Sequence, residues 1–361
     1  MKKVNVGDPA PLFVAHSSNN DNFYFDTIGG RIIVLCFYNS AANEVSRQVL
    51  DGFCRQYRSL FDDHHICFFG VSHDPLDLSE GRVKQQIPGI RWFWDFNHQI
   101  SSLYHTNDQE MPITYVINRN MQIIGTFSGN PDTQAERVVN FLRTLPTPAP
   151  ITRAKMQAPV LMIDHIFEPE LCHRLINLYK ENGGKESGFM SEKEGKTIAV
   201  NDHSFKVRRD YHITDSSLRS HLQKRITRRL VPQINKAFQF EVTRMERYVV
   251  ACYDAVTGGY FRAHRDNTTK GTAHRKFAVT INLNSHEYEG GDLRFPEFGT
   301  QTYRASTGGA VVFSCSLLHE VLPITQGTRF CFLPFLYDEK AAEIRRENNA
   351  FLDQEVKPYL G

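Results

Sequence analysis

Apolar residues recur with two different periods along the first 145 residues of the chain. Largely apolar stretches at residues 31–38 and 66–72 predict buried strands, and apolar positions at helical spacing across residues 43–61 predict a helix between them. Residues 113–118 and 123–127 predict a hairpin, which is followed by a closing helix at residues 137–144. Strands that alternate with helices are typical of an α/β layer fold.

The pattern changes in the second part of the chain. Residues 168–182 and 216–238 have the periodicity of helices. Short strand-like runs follow, separated by Gly, Pro and Asn, at residues 247–253, 277–283, 291–295, 309–313 and 329–336. This alternation of short strands and turns predicts a jelly roll with helices packed outside it. Residues 338–351 predict a polar C-terminal helix.

A proline-rich stretch separates the two parts. Pro146, Pro148 and Pro150 stand at alternate positions, which disfavours both a helix and a central strand and favours an extended spacer. The 361 residues have room for two domains. We therefore predict an α/β domain at residues 1–145, a linker at 146–159, a β-rich domain at 160–338 and a helical tail at 339–361.

Composition narrows the classes of function. The chain has 42 basic and 40 acidic residues, a formal net charge of +2, which does not suggest a large basic surface for nucleic acid. It has no apolar run near the roughly 18 residues that cross a bilayer, and we see no signal peptide at its N-terminus. Its seven cysteines form no C-x-x-C pair, which is typical of reduced thiols. We expect a cytoplasmic protein with no nucleic-acid or membrane partner.

Three side chains in the second part suggest a metal centre. His264 and Asp266 are two positions apart, so on a strand they point to the same side. With His319 from a neighbouring strand they would form the two-histidine, one-carboxylate set typical of non-haem Fe(II) oxygenases. Arg329 follows His319 by ten residues, and its guanidinium is well suited to bind a carboxylate through two hydrogen bonds. A dicarboxylate cosubstrate would then bind the metal at one end and Arg329 at the other.

The residues around these candidates occur in the order of a known family. The matching segments are 251–253 (Ala-Cys-Tyr), 258–260 (Gly-Gly-Tyr), 264–267 (His-Arg-Asp-Asn), 289–296 (Glu-Gly-Gly-Asp-Leu-Arg-Phe-Pro) and 319–329. Through them residues 160–338, about half of the chain, resemble the Fe(II)/2-oxoglutarate-dependent dioxygenases of the prolyl 4-hydroxylase type.

The resemblance implies a double-stranded β-helix, and an iron centre in which His264, Asp266 and His319 are the catalytic metal ligands. It implies that 2-oxoglutarate binds Arg329 and that Tyr253 donates a hydrogen bond to this cosubstrate. O₂ would be the second cosubstrate and ascorbate a reductant. The implied reaction decarboxylates 2-oxoglutarate to succinate and CO₂ and hydroxylates a prolyl, amino-acid or related substrate. One position departs from the hypoxia-sensing members, because Thr280-Ile281-Asn282 provides no tyrosine on its strand.

The first 145 residues resemble the peroxiredoxin/thioredoxin-like superfamily. The similar segments are residues 6–11, the strand that ends in Phe37-Tyr38, and residues 111–118, in which Pro112 is expected to follow a cis bond. The peroxidatic motif Pro-x-x-x-Thr-x-x-Cys is replaced by Asn39, Asn43 and Ser46. Without a thiol at this position we expect a redox-inactive domain.

Other interpretations stay open at this point. His264 and Asp266 are also compatible with a surface pair, Arg329 with a strand-edge charge and Tyr253 with core packing. The polar run at residues 203–210 is compatible with a substrate lid or with a solvated strand. A thiol peroxidase with an accessory β domain, and a metal-binding interaction module without turnover, are the rival functions. The substrate, either a small molecule or a peptide, is not specified by the sequence, and a homo-oligomer is possible.

Overall fold

The computed structural model describes residues 4–107, 109–147, 150–151, 153, 156–354, 356 and 358–359. These residues form two compact units, which divide the chain into 1–152 and 153–361. Residues 148, 149, 152, 154 and 155 of the predicted linker, and residues 355, 357, 360 and 361 of the predicted tail, lie outside the described residues. Among the described residues, none of the helices combines the length and apolarity that a bilayer crossing requires.

The described part of the N-terminal unit is built on a seven-stranded sheet with the order β2-β1-β5-β4-β3-β6-β7. Its strands are β1 (Val14–Ser17), β2 (Asn20–Tyr24), β3 (Ile32–Asn39), β4 (Ile66–Ser72), β5 (Ile90–Trp94), β6 (Ile113–Ile117) and β7 (Ile123–Phe127). Its helices are α1 (Glu44–Asp51), α2 (Pro75–Ser79), α3 (Gln99–Tyr104) and α4 (Pro131–Thr144). Strands β3, β4 and β5 are parallel, and β6 and β7 are antiparallel.

Both faces of this sheet are covered. Alternate residues of β3 point to opposite sides, so that Leu35 and Phe37 belong to one apolar cluster and Val34 and Cys36 to another. A strand that is buried on both faces reads as a continuous apolar run, which explains the predicted strand at 31–38. Strands β4, β3, β6 and β7 are neighbours in that order, and α1 and α4 pack against one face of the sheet. This arrangement confirms the predicted α/β, thioredoxin-like fold.

The helix predicted at residues 43–61 is interrupted. Asn43 caps α1 by accepting from the backbone N–H of Val45, as its position before the apolar residues suggests. The chain then continues as a π-turn at Gly52–Gln56 and a 3₁₀ turn at Arg58–Leu60. A Cβ atom on Gly52 would lie 2.5 Å from the Cβ of Ala135 in α4, so the close approach of the two helices requires glycine here.

The C-terminal unit contains most of the strands. They are β8 (Leu161–Ile163), β9 (Lys185–Glu186), β10 (Phe189–Lys193), β11 (Lys196–Val200), β12 (Lys206–Val207), β13 (Arg209–His212), β14 (Arg244–Glu246), β15 (Val249–Asp254), β16 (Tyr260–His264), β17 (Phe277–Asn282), β18 (Tyr288–Gly290), β19 (Leu293–Arg294), β20 (Thr302–Tyr303), β21 (Ala310–Ser314), β22 (His319–Val321), β23 (Ile324–Phe332) and β24 (Phe335–Tyr337). Its helices are α5 (Pro169–Asn182), α6 (Ser216–Arg225), α7 (Val231–Phe238) and α8 (Glu339–Glu347). A π-turn at Ile226–Leu230 joins α6 to α7.

Two sheets of the described residues face each other in this unit. The smaller has the order β12-β16-β22-β19-β20, and the larger contains β14-β24-β17-β23-β15-β13-β9 as its main path. Phe261 and Val321 of the smaller sheet share an apolar cluster with Ala251 and Phe313 of the larger sheet. The other face of the larger sheet packs against residues of α5, α6 and α7. Two facing antiparallel sheets with helices outside confirm the predicted jelly-roll class.

Candidate metal and cosubstrate site

His264 and His319 lie directly opposite each other on the antiparallel strands β16 and β22. Their ring centroids are 4.3 Å apart. The Nε2 atom of His264 lies 3.6 Å from Oδ1 of Asp266, and Nε2 of His319 lies 3.4 Å from Oδ2 of the same carboxylate. One potential ligand atom from each of the three side chains lies within 4.8 Å of the others. The structure therefore brings the three predicted metal ligands together.

Asp266 reaches this position in a different way from the one predicted. Strand β16 ends at His264, and Asp266 lies in the turn that follows, so strand alternation does not apply to it. Its backbone N–H donates to the carbonyl oxygen of Cys315 at 3.0 Å, which fixes the turn against the chain that leads into β22. The two-residue spacing still places the carboxylate beside both imidazoles, but through the turn and not through the strand.

The imidazoles have the tautomer that metal binding needs. Nδ1 of His264 lies 2.8 Å from the carbonyl oxygen of Arg262, and Nδ1 of His319 lies 3.0 Å from that of Leu317. A carbonyl oxygen only accepts, so each Nδ1 carries the proton and each Nε2 presents a lone pair. Burial lowers the pKa of His319 to about 4, which keeps its ring neutral. Two imidazoles and one carboxylate are the ligand set that fits a non-haem Fe(II) ion.

Arg329 is buried with part of its hydrogen-bonding capacity unused. It lies opposite Tyr253 in the β23–β15 pair and is 2% exposed. Its Nε and Nη1 atoms are buried and have no hydrogen-bond partner among the described residues. A guanidinium keeps its charge, and burying a charge without an acceptor is costly. The environment of Arg329 therefore fits an anion that is not part of the chain.

A turn of two glycines precedes β19, and the second of them, Gly291, lies beside Arg329. Gly290 and Gly291 both have positive φ angles, which other residues rarely adopt. A Cβ atom on Gly291 would lie 2.0 Å from Cδ1 of Ile324 and 3.4 Å from Cδ of Arg329. The strand predicted at residues 291–295 is accordingly shorter, because only Leu293–Arg294 pairs as β19 after this turn.

The three candidate ligands and Arg329 line one cavity of about 950 Å³. Tyr253 and Thr280 belong to the same wall. The Tyr253 side chain is buried, and its hydroxyl accepts a hydrogen bond from Nη1 of Arg208 at 3.3 Å. This bond uses the hydroxyl oxygen as acceptor and leaves its proton for another group, so the role predicted for Tyr253 stays a prediction.

The polar run at residues 203–210 is part of the cavity wall. Lys206, Arg208 and Asp210 line the cavity and are buried, whereas His203, Ser204 and Arg209 are exposed, so only part of this run is solvated. The three buried residues stand at alternate positions in and between β12 and β13, and a period of two is the signal that could have placed them on one face. These residues were not identified as part of the site from the sequence, because charged residues are seldom buried unless they are paired.

The N-terminal unit has no thiol where a peroxidatic cysteine is expected. Ser46 lies in the first turn of α1, is buried, and its hydroxyl donates to the carbonyl oxygen of Tyr38. Burial raises the pKa of the Cys36 and Cys54 thiols to about 12.

The prediction of a cis peptide bond before Pro112 is wrong. Among the described residues, the cis peptide bond is the one between Ile87 and Pro88.

Comparison with known families agrees with both resemblances. Residues 248–337 match the 2OG-Fe(II) oxygenase superfamily, and residues 6–125 match the AhpC/TSA family. These matches confirm that the second part of the chain resembles the 2-oxoglutarate-dependent oxygenases and that the first part resembles the peroxiredoxin-like proteins.

Curated relatives are PKHD-type hydroxylases. The protein from Delftia acidovorans is 32% identical over 108 residues, which cover 28% of this chain and 48% of the relative. That from Stutzerimonas stutzeri is 34% identical over 86 residues, which cover 22% of this chain and 37% of the relative. The chain thus spans half or less of the length of these relatives.

Solved structures are similar to each part of the chain. A Trichoplax adhaerens prolyl hydroxylase in complex with a hypoxia-inducible-factor oxygen-degradation-domain peptide is 17% identical with a TM-score of 0.42, covering 58% of this chain and 91% of that chain. A putative thiol:disulfide interchange protein DsbE from Chlorobium tepidum is 17% identical with a TM-score of 0.33, covering 39% of this chain and 98% of that chain.

Proposed function

We propose that this chain is an Fe(II)- and 2-oxoglutarate-dependent hydroxylase. It would couple oxidative decarboxylation of 2-oxoglutarate to hydroxylation of a prolyl, amino-acid or related substrate. One observation carries the proposal. A metal-binding set of two imidazoles and one carboxylate lines the same cavity as a buried guanidinium, two nitrogens of which have no acceptor among the described residues.

His264, Asp266 and His319 would hold the iron. When bound, Fe(II) supplies the activation of O₂ that amino-acid side chains cannot perform. The carbonyl oxygens of Arg262 and Leu317 fix the two rings through their Nδ1–H groups, so both Nε2 lone pairs are available without rearrangement.

Arg329 would bind the carboxylate of 2-oxoglutarate that is remote from the metal. A charge-assisted hydrogen bond is strong where water is excluded, and Arg329 is buried between strands. Tyr253 would donate its hydroxyl proton to the cosubstrate, as the family resemblance implies. Phe261, Phe313 and Val321 add apolar surface to the cavity wall and keep water away from the reacting groups.

The experiment is a turnover screen with the full-length protein, Fe(II), 2-oxoglutarate and ascorbate. Proline-containing peptides and free amino acids serve as substrates. We expect succinate release and, in at least one product, a mass gain of one oxygen atom. The His264→Ala variant should lose both signals, and His286→Ala, which changes an exposed histidine, should keep them.

The rival functions predict different results. A metal-binding interaction module would bind a divalent ion without consuming 2-oxoglutarate in any mixture. A thiol peroxidase would remove peroxide through an accessible thiol. Either result, together with absence of succinate, would overturn the proposal.

A further inference from the structure

We propose that the substrate of this hydroxylase carries a carboxylate group, which Lys206 binds inside the cavity. This inference rests on the proposed function and specifies the class of substrate. Its basis is the position of the Lys206 ammonium group, the neutral character of its partners and the balance of charges around the cavity.

Lys206 belongs to the same wall as the candidate metal ligands. It lies opposite Phe261 in the β12–β16 pair and is 4% exposed. Its Nζ atom lies 4.8 Å from the centroid of the Phe261 ring. That ring stacks on His264 with a centroid separation of 3.5 Å. Lys206 and His264 thus contact the same aromatic ring, and a small molecule bound to Lys206 would lie in the cavity that the candidate metal ligands line.

The two groups that accept hydrogen bonds from the Lys206 ammonium group are uncharged. Nζ donates to the Oγ atom of Ser187 at 2.9 Å and to the carbonyl oxygen of Gly188 at 2.5 Å. An ammonium has three N–H donors, so one is left. No carboxylate of the described residues forms an ion pair with Lys206. Burial, assisted by the charge of Arg208, holds the pKa of Lys206 well below its usual value, and a carboxylate bound beside Nζ would stabilise the charged form.

The acids of the cavity are already engaged. Eight basic and four acidic residues line it. Asp210 accepts two hydrogen bonds from Arg208, at 2.7 and 2.6 Å, and has Arg247 at 3.4 Å. Glu246 is paired with Arg275 and Arg345.

The other two acids are committed as well. Glu186 contacts His203, and Asp266 belongs to the metal set. Lys206 and Arg329 are thus two buried basic side chains of one cavity that have no carboxylate partner among the described residues. 2-Oxoglutarate would satisfy Arg329, and a second anion is needed for Lys206.

A carboxylate fits Lys206 better than the alternatives do. One free N–H donor and one positive charge match a monoanion, whereas a phosphate monoester carries nearly two charges and three acceptor oxygens. A neutral amide would accept the hydrogen bond but leave the buried charge uncompensated. Free amino acids and other small carboxylic acids therefore fit this wall.

The test compares acids with their amides. L-Proline with L-prolinamide, and other amino acids each with its primary amide, are added to the holoenzyme at fixed 2-oxoglutarate. We expect at least one acid to accelerate succinate release above the substrate-free rate, and its amide to have no effect. In Lys206→Met the KM for that acid should rise about ten- to a hundredfold, the range of one lost charge-assisted hydrogen bond. Lys206→Arg should recover most of the affinity.

Lys236→Met is the matched control, because Lys236 is an exposed lysine of α7 that does not line the cavity. It should behave as the wild type. Unfolding temperatures of all variants show whether Lys206→Met is folded. If it is not, the KM of Lys206→Arg and the acid–amide comparison on the wild type test whether Lys206 binds a carboxylate. Equal stimulation by acid and amide, stimulation by phosphorylated compounds only, or an unchanged KM in Lys206→Met would overturn the inference.

Calorimetric titration of the metal-free protein with the same pairs separates this inference from the proposed function. Acid binding that Lys206→Met weakens supports the carboxylate site even if no succinate is formed. Succinate formation without any preference for acids retains the proposed function and refutes the site. If neither acids nor amides bind and none affects turnover, the site is refuted as well.

Discussion

Arg329 and Tyr253 face each other across the β23–β15 pair, and the guanidinium carbon lies 5.2 Å from the centre of the tyrosine ring. Strand pairing thus holds a buried cation against an aromatic face. Two of its nitrogens have no acceptor among the described residues. Arg329 could therefore accept an anion, and under the proposed function this anion would be a dicarboxylate that also reaches His264, Asp266 and His319 in the same cavity.

Removing the Arg329 charge should weaken 2-oxoglutarate binding. In Arg329→Met we expect the KM for 2-oxoglutarate to rise about ten- to a hundredfold, since charge-assisted hydrogen bonds to a buried carboxylate are lost. Titration with Mn(II) should give an unchanged Kd, because Arg329 contributes no metal ligand. Arg294→Met is the control, since Arg294 pairs with Glu320 and does not line the cavity. An unchanged KM in Arg329→Met would show that the cosubstrate binds elsewhere.

The thiols should be unreactive in the folded protein. All seven cysteines are free, and burial raises the pKa of each, to about 12 for Cys36, Cys54 and Cys67. The thiolate is the reactive form, so very little is present near pH 7.5. Iodoacetamide should modify few thiols in the native state and seven after unfolding, as counted by mass spectrometry. Rapid modification of Cys36 or Cys54, with loss of added peroxide, would favour the thiol peroxidase.

Glu246 should make the stability of the C-terminal unit depend on pH. Burial alone would raise the pKa of Glu246, but Arg275, His274 and Arg345 hold it below the usual value. A lowered carboxyl pKa contributes stability above the pKa of the unfolded chain, about 4.3, and this contribution is lost as the pH falls further. Glu246→Gln leaves buried cations uncompensated and should cost about 3–5 kcal/mol at pH 7.

Urea unfolding at pH 7 and pH 3 measures the effect of this substitution. The difference between wild type and Glu246→Gln should shrink at the lower pH. Glu339→Gln, which removes an exposed pair with Arg244, should change little at either pH. An equal difference at both pH values would mean that the charge of Glu246 does not stabilise the fold.

The sequence predicted what depends on local pattern. Strand β4 and the hairpin of β6 and β7 follow from apolar runs, and the spacing of His264, Asp266 and His319 identified a set that the structure brings together. The predicted helix at 137–144 begins earlier, at Pro131, because Asn130 caps it. Helix caps and apolar runs depend on only a few neighbouring residues, so they can be predicted from the sequence alone.

Features that depend on distant partners were not predictable. The alternation of residues 206–210 could place Lys206 on one face, but not show that this face is buried, because its neighbours are Ser187 and Phe261 on another strand. The need for glycine at position 52 comes from Ala135, more than eighty positions further along the chain. In both cases a contact between remote segments overrides the local preference.

Turnover of 2-oxoglutarate in the wild type and in Asp266→Ala tests the central claim most directly. With Fe(II) and O₂, the wild type should form one succinate for each 2-oxoglutarate that it consumes, as measured by mass spectrometry. Chelation of the metal should stop this turnover. Asp266→Ala should fall to the background rate, while Asp292→Ala, an acid that pairs with Arg304 outside the cavity, should retain activity. Succinate formation by Asp266→Ala at the wild-type rate, or none by the wild type, would contradict the account.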